Sequence, residues 1–219
     1  MWFWLSHELN QNTQGYRGVK SLTLTKTSSI NKGQSSNSHN LEMNNHLGSH
    51  VDFPYHFINN GKTLSDYEAT DWVFNSPLII DLECFPGDKI TKESIIDKIQ
   101  FEIEPDLVLI NTGFERFRNS ITYWESSPIF TEELCNYLIK KFKNLKAVGF
   151  DSISLSSLND REQGRKAHKV LLSNDVRIFE DLRLSLVEKS MKIKKVIALP
   201  LLIEGIDGSP LSIIAEATK

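Results

Sequence analysis

Three short apolar runs mark the middle of the chain: Pro77-Leu78-Ile79-Ile80-Asp81-Leu82, Leu107-Val108-Leu109-Ile110-Asn111-Thr112 and Lys146-Ala147-Val148-Gly149-Phe150-Asp151. Runs of this length, continuous rather than alternating, suit strands covered on both faces. Helical patterns separate them. Thr91 opens one helix to about Lys98, with Glu93 and Ser94 in its first turn. Thr131 reads as the N-cap of another, with Glu132 and Glu133 near its positive end and apolar residues recurring to Phe142. A shorter helix is expected from about Ser65 to Asp71. Strands that alternate with helices predict an α/β domain.

The first third is patterned differently. Trp2 to Leu9 reads as a strand, with His7 at its polar end as a structural hydrogen-bonder, and Leu22-Thr23-Leu24-Thr25 alternates as another. Asn10 to Gly18 is a polar loop whose one large aromatic, Tyr16, reads as a packed surface ring. Asn31 to Asn40, rich in Ser and Asn, is a hairpin connection with a solvated His39. These segments add antiparallel pairing. In the last third, Ala167 to Leu172 ends a helix and Ser173-Asn174-Asp175 turns the chain. Val196 to Ile203 is a buried strand, Glu204 to Pro210 a tight loop and Leu211 to Ala215 a returning strand. Asp207-Gly208 in that loop reads as turn architecture. Neither a repeat nor a second domain boundary is visible. The pattern predicts one α/β domain over residues 1–219, a mixed β-sheet core with flanking helices.

Two places carry candidate chemistry. Three of the six histidines fall within eleven residues: His46, His50 and His56, with Asp52 on the same parity. Imidazole and carboxylate form a ligand set for zinc, manganese or iron. Gly48 and Pro54 argue against a helix here. An extended strand would hold the first two imidazoles about 13 Å apart, too far for one ion. A strand end that kinks at Gly48 and turns at Pro54 would fold the side chains onto one centre; a loop of solvated imidazoles is the alternative. The second place is Glu180. Val176, Ile178, Glu180, Leu182 and Leu184 share one parity, so a carboxylate lies in the middle of an apolar face. Such a group needs a cationic partner: a metal, or Arg177, Arg183 or a lysine.

Composition narrows the class. Hydrophobic residues make up 40% and charged residues 24%, with a net charge of -3 and no long basic stripe, which argues against nucleic acid as the main partner. No apolar run approaches a membrane span. Met1 to Leu5 is too short and lacks the basic leader of a signal peptide, so a cytoplasmic protein is expected. Cys84 and Cys135 are far apart and read as buried thiols in a reducing compartment.

The pattern His46-x-Gly48-Ser49-His50-x-Asp52-x-Pro54-x-His56 resembles the signature of the metal-dependent cyclase family, which includes bacterial kynurenine formamidases and isatin hydrolases. The resemblance extends through Leu5-Ser6-His7, Thr112-Gly113-Phe114, Gly149-Phe150-Asp151, Leu199-Pro200 and Asp207-Gly208-Ser209-Pro210, and His168 and Glu180 are spaced as the family's second ligand pair. It implies the family's swivelling β/β/α-like fold and a homodimer or homotetramer. It further implies two divalent ions, Zn²⁺ or Mn²⁺: His46, His50 and Asp52 hold one, Asp52 bridges to a second completed by His168, and Glu180 is shared. His56 is then the catalytic acid/base, with Tyr16 contacting a small-molecule amide substrate. Formamidase activity on N-formylkynurenine would place the chain in tryptophan breakdown. Ser49 replaces the usual Thr, Arg17-Gly18 a Pro-Gly, Phe53 a small residue that would shape the substrate pocket, Ser156 an Asp and Ser212 an Arg. These departures leave open a cyclic amide or a lactone as substrate.

Overall fold

The computed structural model describes residues 1–99 and 104–218. In chain order its elements are β1 (Trp2–Trp4), β2 (Thr23–Ser28), β3 (Ser38–Glu42), β4 (His50–Asp52), β5 (Val73–Phe74), β6 (Pro77–Asp81), β7 (Lys89–Ile90), α1 (Lys92–Ile96), β8 (Leu107–Asn111), α2 (Thr122–Glu125), β9 (Ile129–Phe130), α3 (Glu132–Lys141), β10 (Ala147–Phe150), α4 (Arg161–Ser173), β11 (Arg177–Glu180), β12 (Lys192–Pro200) and β13 (Gly208–Thr218). Nine strands form one large mixed sheet in the order β5-β12-β13-β4-β11-β10-β8-β6, with β1 added alongside β13. The half from β6 to β11 is parallel and the rest is antiparallel. The expected single α/β domain is therefore the observed architecture.

Both faces of the sheet are covered along its parallel part. Along β8, Leu107 and Leu109 point into one core with Phe53, Trp72, Phe74 and Phe179; Val108 and Ile110 point into the other. That second core is closed by α1, α3 and α4 through Ile95, Leu134, Leu138, Ala167 and Leu171. Cover on both faces explains why β6, β8 and β10 read as apolar runs. Thr131 caps α3, its hydroxyl accepting from the Leu134 amide at 3.2 Å. Residues 23–42 form the expected hairpin, with an exposed His39 in its second strand.

Several expected boundaries move. The helix expected over Ser65–Asp71 is two 3₁₀ turns, Leu64–Asp66 and Ala69–Trp72, each closed by an acidic side chain reaching back to the chain entry. Local capping by Asp66 and Asp71 competes with helix propagation there. β1 stops at Trp4 instead of Leu9, although Leu5 still donates to Ile213 and Ser6 bridges Leu182. β12 starts at Lys192, where lysines alternate with buried Ile193 and so hide the strand from an apolar-run reading; Leu201 to Ile203 lie beyond it, exposed. β13 begins at Gly208 rather than Leu211 and runs to Thr218.

The shared face from Val176 to Leu184 is also corrected. Val176 and Ile178 enter the helix-covered core, but Leu182 and Leu184 enter the opposite one. Asp181 has φ of +53°, and this left-handed residue reverses the alternation. Arg177, on the other parity from Glu180, is buried over the rings of Tyr67, Trp72 and Phe74.

His7 is half-buried next to Ser49 of the histidine stretch. Its amide donates to Ser49 Oγ at 2.9 Å, in keeping with the expected structural hydrogen-bonder, while its ring Nε2 has no hydrogen-bond partner among the described residues. Burial lowers its pKa from 6.5 to about 4, with Asp181 opposing. The folded chain thus keeps His7 neutral where the unfolded chain protonates it. Its contribution to stability is complete above pH 6.5 and is lost as pH falls toward 4. His7→Gln should flatten that part of the stability profile, measured by urea unfolding between pH 7 and 4.5; parallel profiles would exclude this role.

Gly164 sets how closely α4 lies on the strand side of the site, because a Cβ there would come within 1.9 Å of Ser156 Cβ. Gly164→Ala should destabilise by about 1–3 kcal/mol through overpacking. An unchanged urea midpoint would show that the contact yields freely.

Candidate metal centre

β4 delivers the first donors. It lies between β11 and β13, with Asp52 opposite Ile178 on one side and Gly208 on the other. Alternation along β4 turns His50 and Asp52 to one face and Val51 to the other, where it joins Phe53 in the core. Phe53 is fully buried, stacked on Tyr67 at 5.7 Å, and does not line the cavity. Its expected contact with substrate is therefore corrected, for the same reason of parity. Gly48, with φ of +70°, kinks the chain before β4, and Pro54 opens a 3₁₀ turn after it. The imidazoles of His46 and His50 consequently stand 5.1 Å apart, and His56 comes to 4.2 Å from His46.

α4 and β11 supply the opposite wall with His168 and Glu180. Glu180 Oε2 lies 3.4 Å from His50 Nε2, and Oε1 lies 3.3 Å from His168 Nε2 while accepting from the Leu155 amide. Asp52 reaches His46, His50 and His168 at 2.8, 3.4 and 3.7 Å. Donor atoms converge in two sets that share Asp52: His46, Asp52 and His56, and His50, Asp52 and Glu180. The structure thus brings together all six residues expected in the centre, though His56 groups with one donor set. Glu180 faces histidines and not Arg177.

The protonation pattern tests whether a cation fits. His50 Nδ1 is 2.8 Å from the Gly48 carbonyl and His168 Nδ1 is 2.7 Å from the Gly164 carbonyl. A carbonyl only accepts, so each Nδ1 carries the proton and each Nε2 presents a lone pair unless a second proton is bound. Both Nε2 atoms face carboxylate oxygens. Acceptor against acceptor in a buried site is repulsive, and a cation between them removes the conflict. The same arrangement, with the distal nitrogen fixed by a carbonyl, orients metal-binding histidines. Without a metal, protons take that place. Burial disfavours the His46 imidazolium, yet hydrogen bonds and charge from Asp52 and Asp207 raise its pKa to about 9. His50 and His168 are raised by Asp52 and Glu180 against the same burial. Burial would raise Asp52, but His46 and His50 hold it well below the usual carboxylate range.

Asp207 belongs to this site and was not among the expected site residues. Its Oδ2 accepts from His56 Nδ1 at 2.7 Å and from His46 Nε2 at 3.0 Å, and Asn45 holds Oδ1. Its backbone carbonyl also accepts from Phe53, so the Asp207-Gly208 turn is architecture and site at once. Gly208 is required by proximity, since a Cβ would lie 2.3 Å from the His46 ring.

The donors open into a cavity of about 250 Å³. Tyr16 and Ile153 form apolar wall; Phe57 does too, stacked on His168 at 4.5 Å. Tyr16 therefore stands where it can touch a bound molecule; its loop is seated by Gly18, packed against Trp124. Ser156 lies in the cavity wall, whereas Ser212 is exposed outside it. Arg161 and Arg165 also line the cavity.

A family profile described as "Putative cyclase" matches residues 3–157. The chain is similar to a kynurenine formamidase of Bacillus cytotoxicus, 28% identical over 214 residues that cover 97% of this chain and 96% of the relative. Among solved structures it resembles isatin hydrolase A from Labrenzia aggregata, with a TM-score of 0.82, 22% identity and 98% and 93% of the two chains covered. It also resembles a predicted metal-dependent hydrolase from Bacillus stearothermophilus, with a TM-score of 0.77, 24% identity and 98% and 97% covered.

Proposed function

The chain belongs to the cyclase family, and on that premise we propose that it is a metal-dependent hydrolase of a non-peptide carbon–nitrogen bond. The substrate it fits best is an N-formyl aryl amine such as N-formylkynurenine. One observation carries this reading: His50 and His168, each tied by Nδ1 to a backbone carbonyl, aim Nε2 at two buried carboxylates. The names of the relatives, kynurenine formamidase and isatin hydrolase, point the same way.

His46, His50, Asp52, His168 and Glu180 would hold two ions, zinc or manganese, with the carboxylates shared. Bound there, such ions acidify a water molecule and polarise the substrate carbonyl. The chain's own groups do the rest. Asp207 occupies His56 Nδ1, which leaves Nε2 to take a proton from the attacking water and return it to the leaving nitrogen. Asp207 holds that imidazole in one orientation, the part played by the third member of a catalytic triad. Tyr16, Ile153 and Phe57 offer an apolar wall to an aryl ring. An aryl amine leaves more readily than an alkyl amine, so the proton need not be delivered early.

Purified protein should release kynurenine from N-formylkynurenine, lose that activity on chelation and regain it with zinc or manganese. Bound metal without turnover would redirect the search to cyclic amides and lactones. Failure to bind metal under any loading condition would sink the proposal. His56→Ala should lower kcat by about 10²–10⁴-fold, the usual range for general acid–base catalysis, while metal content stays at the wild-type level. Normal turnover in this variant would assign the proton transfer elsewhere.

A further inference from the structure

Arg161 and Arg165 are the cavity residues that the proposed chemistry leaves without work. Both stand on α4, at i and i+4, and His168 follows at i+7. At about 100° per residue these three positions fall within about 60° of one another, so one face of the helix carries all three toward the cavity. The rise of the helix places Arg165 about 4.5 Å and Arg161 about 10.5 Å from His168 along the axis. Two solvent-exposed arginines therefore border the cavity at successive turns from the donor cluster.

Neither has a carboxylate partner among the described residues. The acids nearby are already engaged: Asp160 caps α4 through Gln163 and pairs with Lys89, and Glu162 pairs with Lys166. Aspartate and glutamate within the cavity, Asp52 and Glu180, are occupied by the imidazoles. The two residue types also separate on the helix. All four are exposed to solvent, but Lys166 and Lys169 are absent from the cavity lining, while both arginines line it. Arginine presents a planar fork of donors matched to a carboxylate, which lysine lacks. Tyr16 and Ile153 add apolar lining to the same cavity.

We propose that Arg161 and Arg165 form a carboxylate-recognition arm, so that the preferred substrates are aryl amides bearing an anionic carboxylate within one to two helical turns of the scissile bond. This rests on the hydrolase reading above and narrows its substrate class. Neutral amides of the same ring size would enter the cavity but leave the arm unused.

The test compares N-formylanthranilate with formanilide, which lacks only the carboxylate, on the metal-loaded full chain. Wild type should favour N-formylanthranilate in kcat/KM by about 10- to 100-fold, the value of one or two charge-assisted hydrogen bonds. In the double variant R161Q/R165Q that ratio should fall toward unity, chiefly through KM, and added salt should reduce it in wild type. A wild-type ratio near one, or a ratio unchanged in the variant, overturns the proposal while leaving the hydrolase intact. Should neither amide be cleaved, calorimetry with anthranilate and aniline separates the two readings. Tighter binding of anthranilate that is lost in R161Q/R165Q supports the arm without the chemistry; equal binding of both ligands overturns it.

Discussion

Two carboxylates with almost no access to water set the terms for this molecule. Asp52 and Glu180 are 1% and 4% exposed and share one small space. Buried charges of like sign must be neutralised or the fold must give way. Much of the surrounding architecture answers that demand: three imidazoles come within 4 Å of them, drawn from a kinked strand end and a helix. Charge balance and ligand supply are thus one requirement. The residues that would grip a divalent cation are the same ones whose protons must otherwise compensate the carboxylates.

This demand explains the outer layer as well. A third carboxylate, Asp207, stands at the edge of the cluster and fixes the two imidazoles that face outward, His46 and His56. Asp181, next to Glu180, is likewise buried, but it is held by a bidentate Arg118 and by Tyr123. One acid is therefore committed to an arginine and its neighbour to histidines. The left-handed backbone at Asp181 sends the two side chains in different directions, and this separation keeps the guanidinium out of the cluster.

Much of this was legible in the sequence, and the failures have specific causes. The His46–His56 stretch could be read because Gly48 and Pro54 exclude regular structure, leaving a folded-back segment as the geometry that gathers its side chains. Of the parallel strands, β6, β8 and β10 could be read because cover on both faces leaves few polar positions, whereas β11 carries Arg177 and Glu180. Phe53 shares its parity with Val51, which turns it away from Asp52 and into the core, so its size alone is no guide to the cavity. Leu182 and Leu184 leave the face that alternation assigns them because a single positive φ, at Asp181, inverts the faces without a mark in the sequence. Asp207 was hidden inside a turn signal that accounted for it fully. Arg161 and Arg165 carried no signal, since a cation on a helix is ordinarily solvated, as these two are, and only the position of α4 brings them beside the cavity.

The pairing of β4 has a consequence for how the chain assembles. Its two neighbours in the sheet come from residues 177–180 and 208–210, and the contacts that lock His46 and His56 onto Asp207 span 161 and 151 positions. Contacts this distant in sequence form slowly, since a long loop must close before any gain is realised. During synthesis the histidine stretch emerges early and then waits, unpaired, for β13. Until that last strand arrives, the segment is an open chain of imidazoles without a fixed shape. The capacity to hold a cation is therefore acquired late, as a property of the finished sheet.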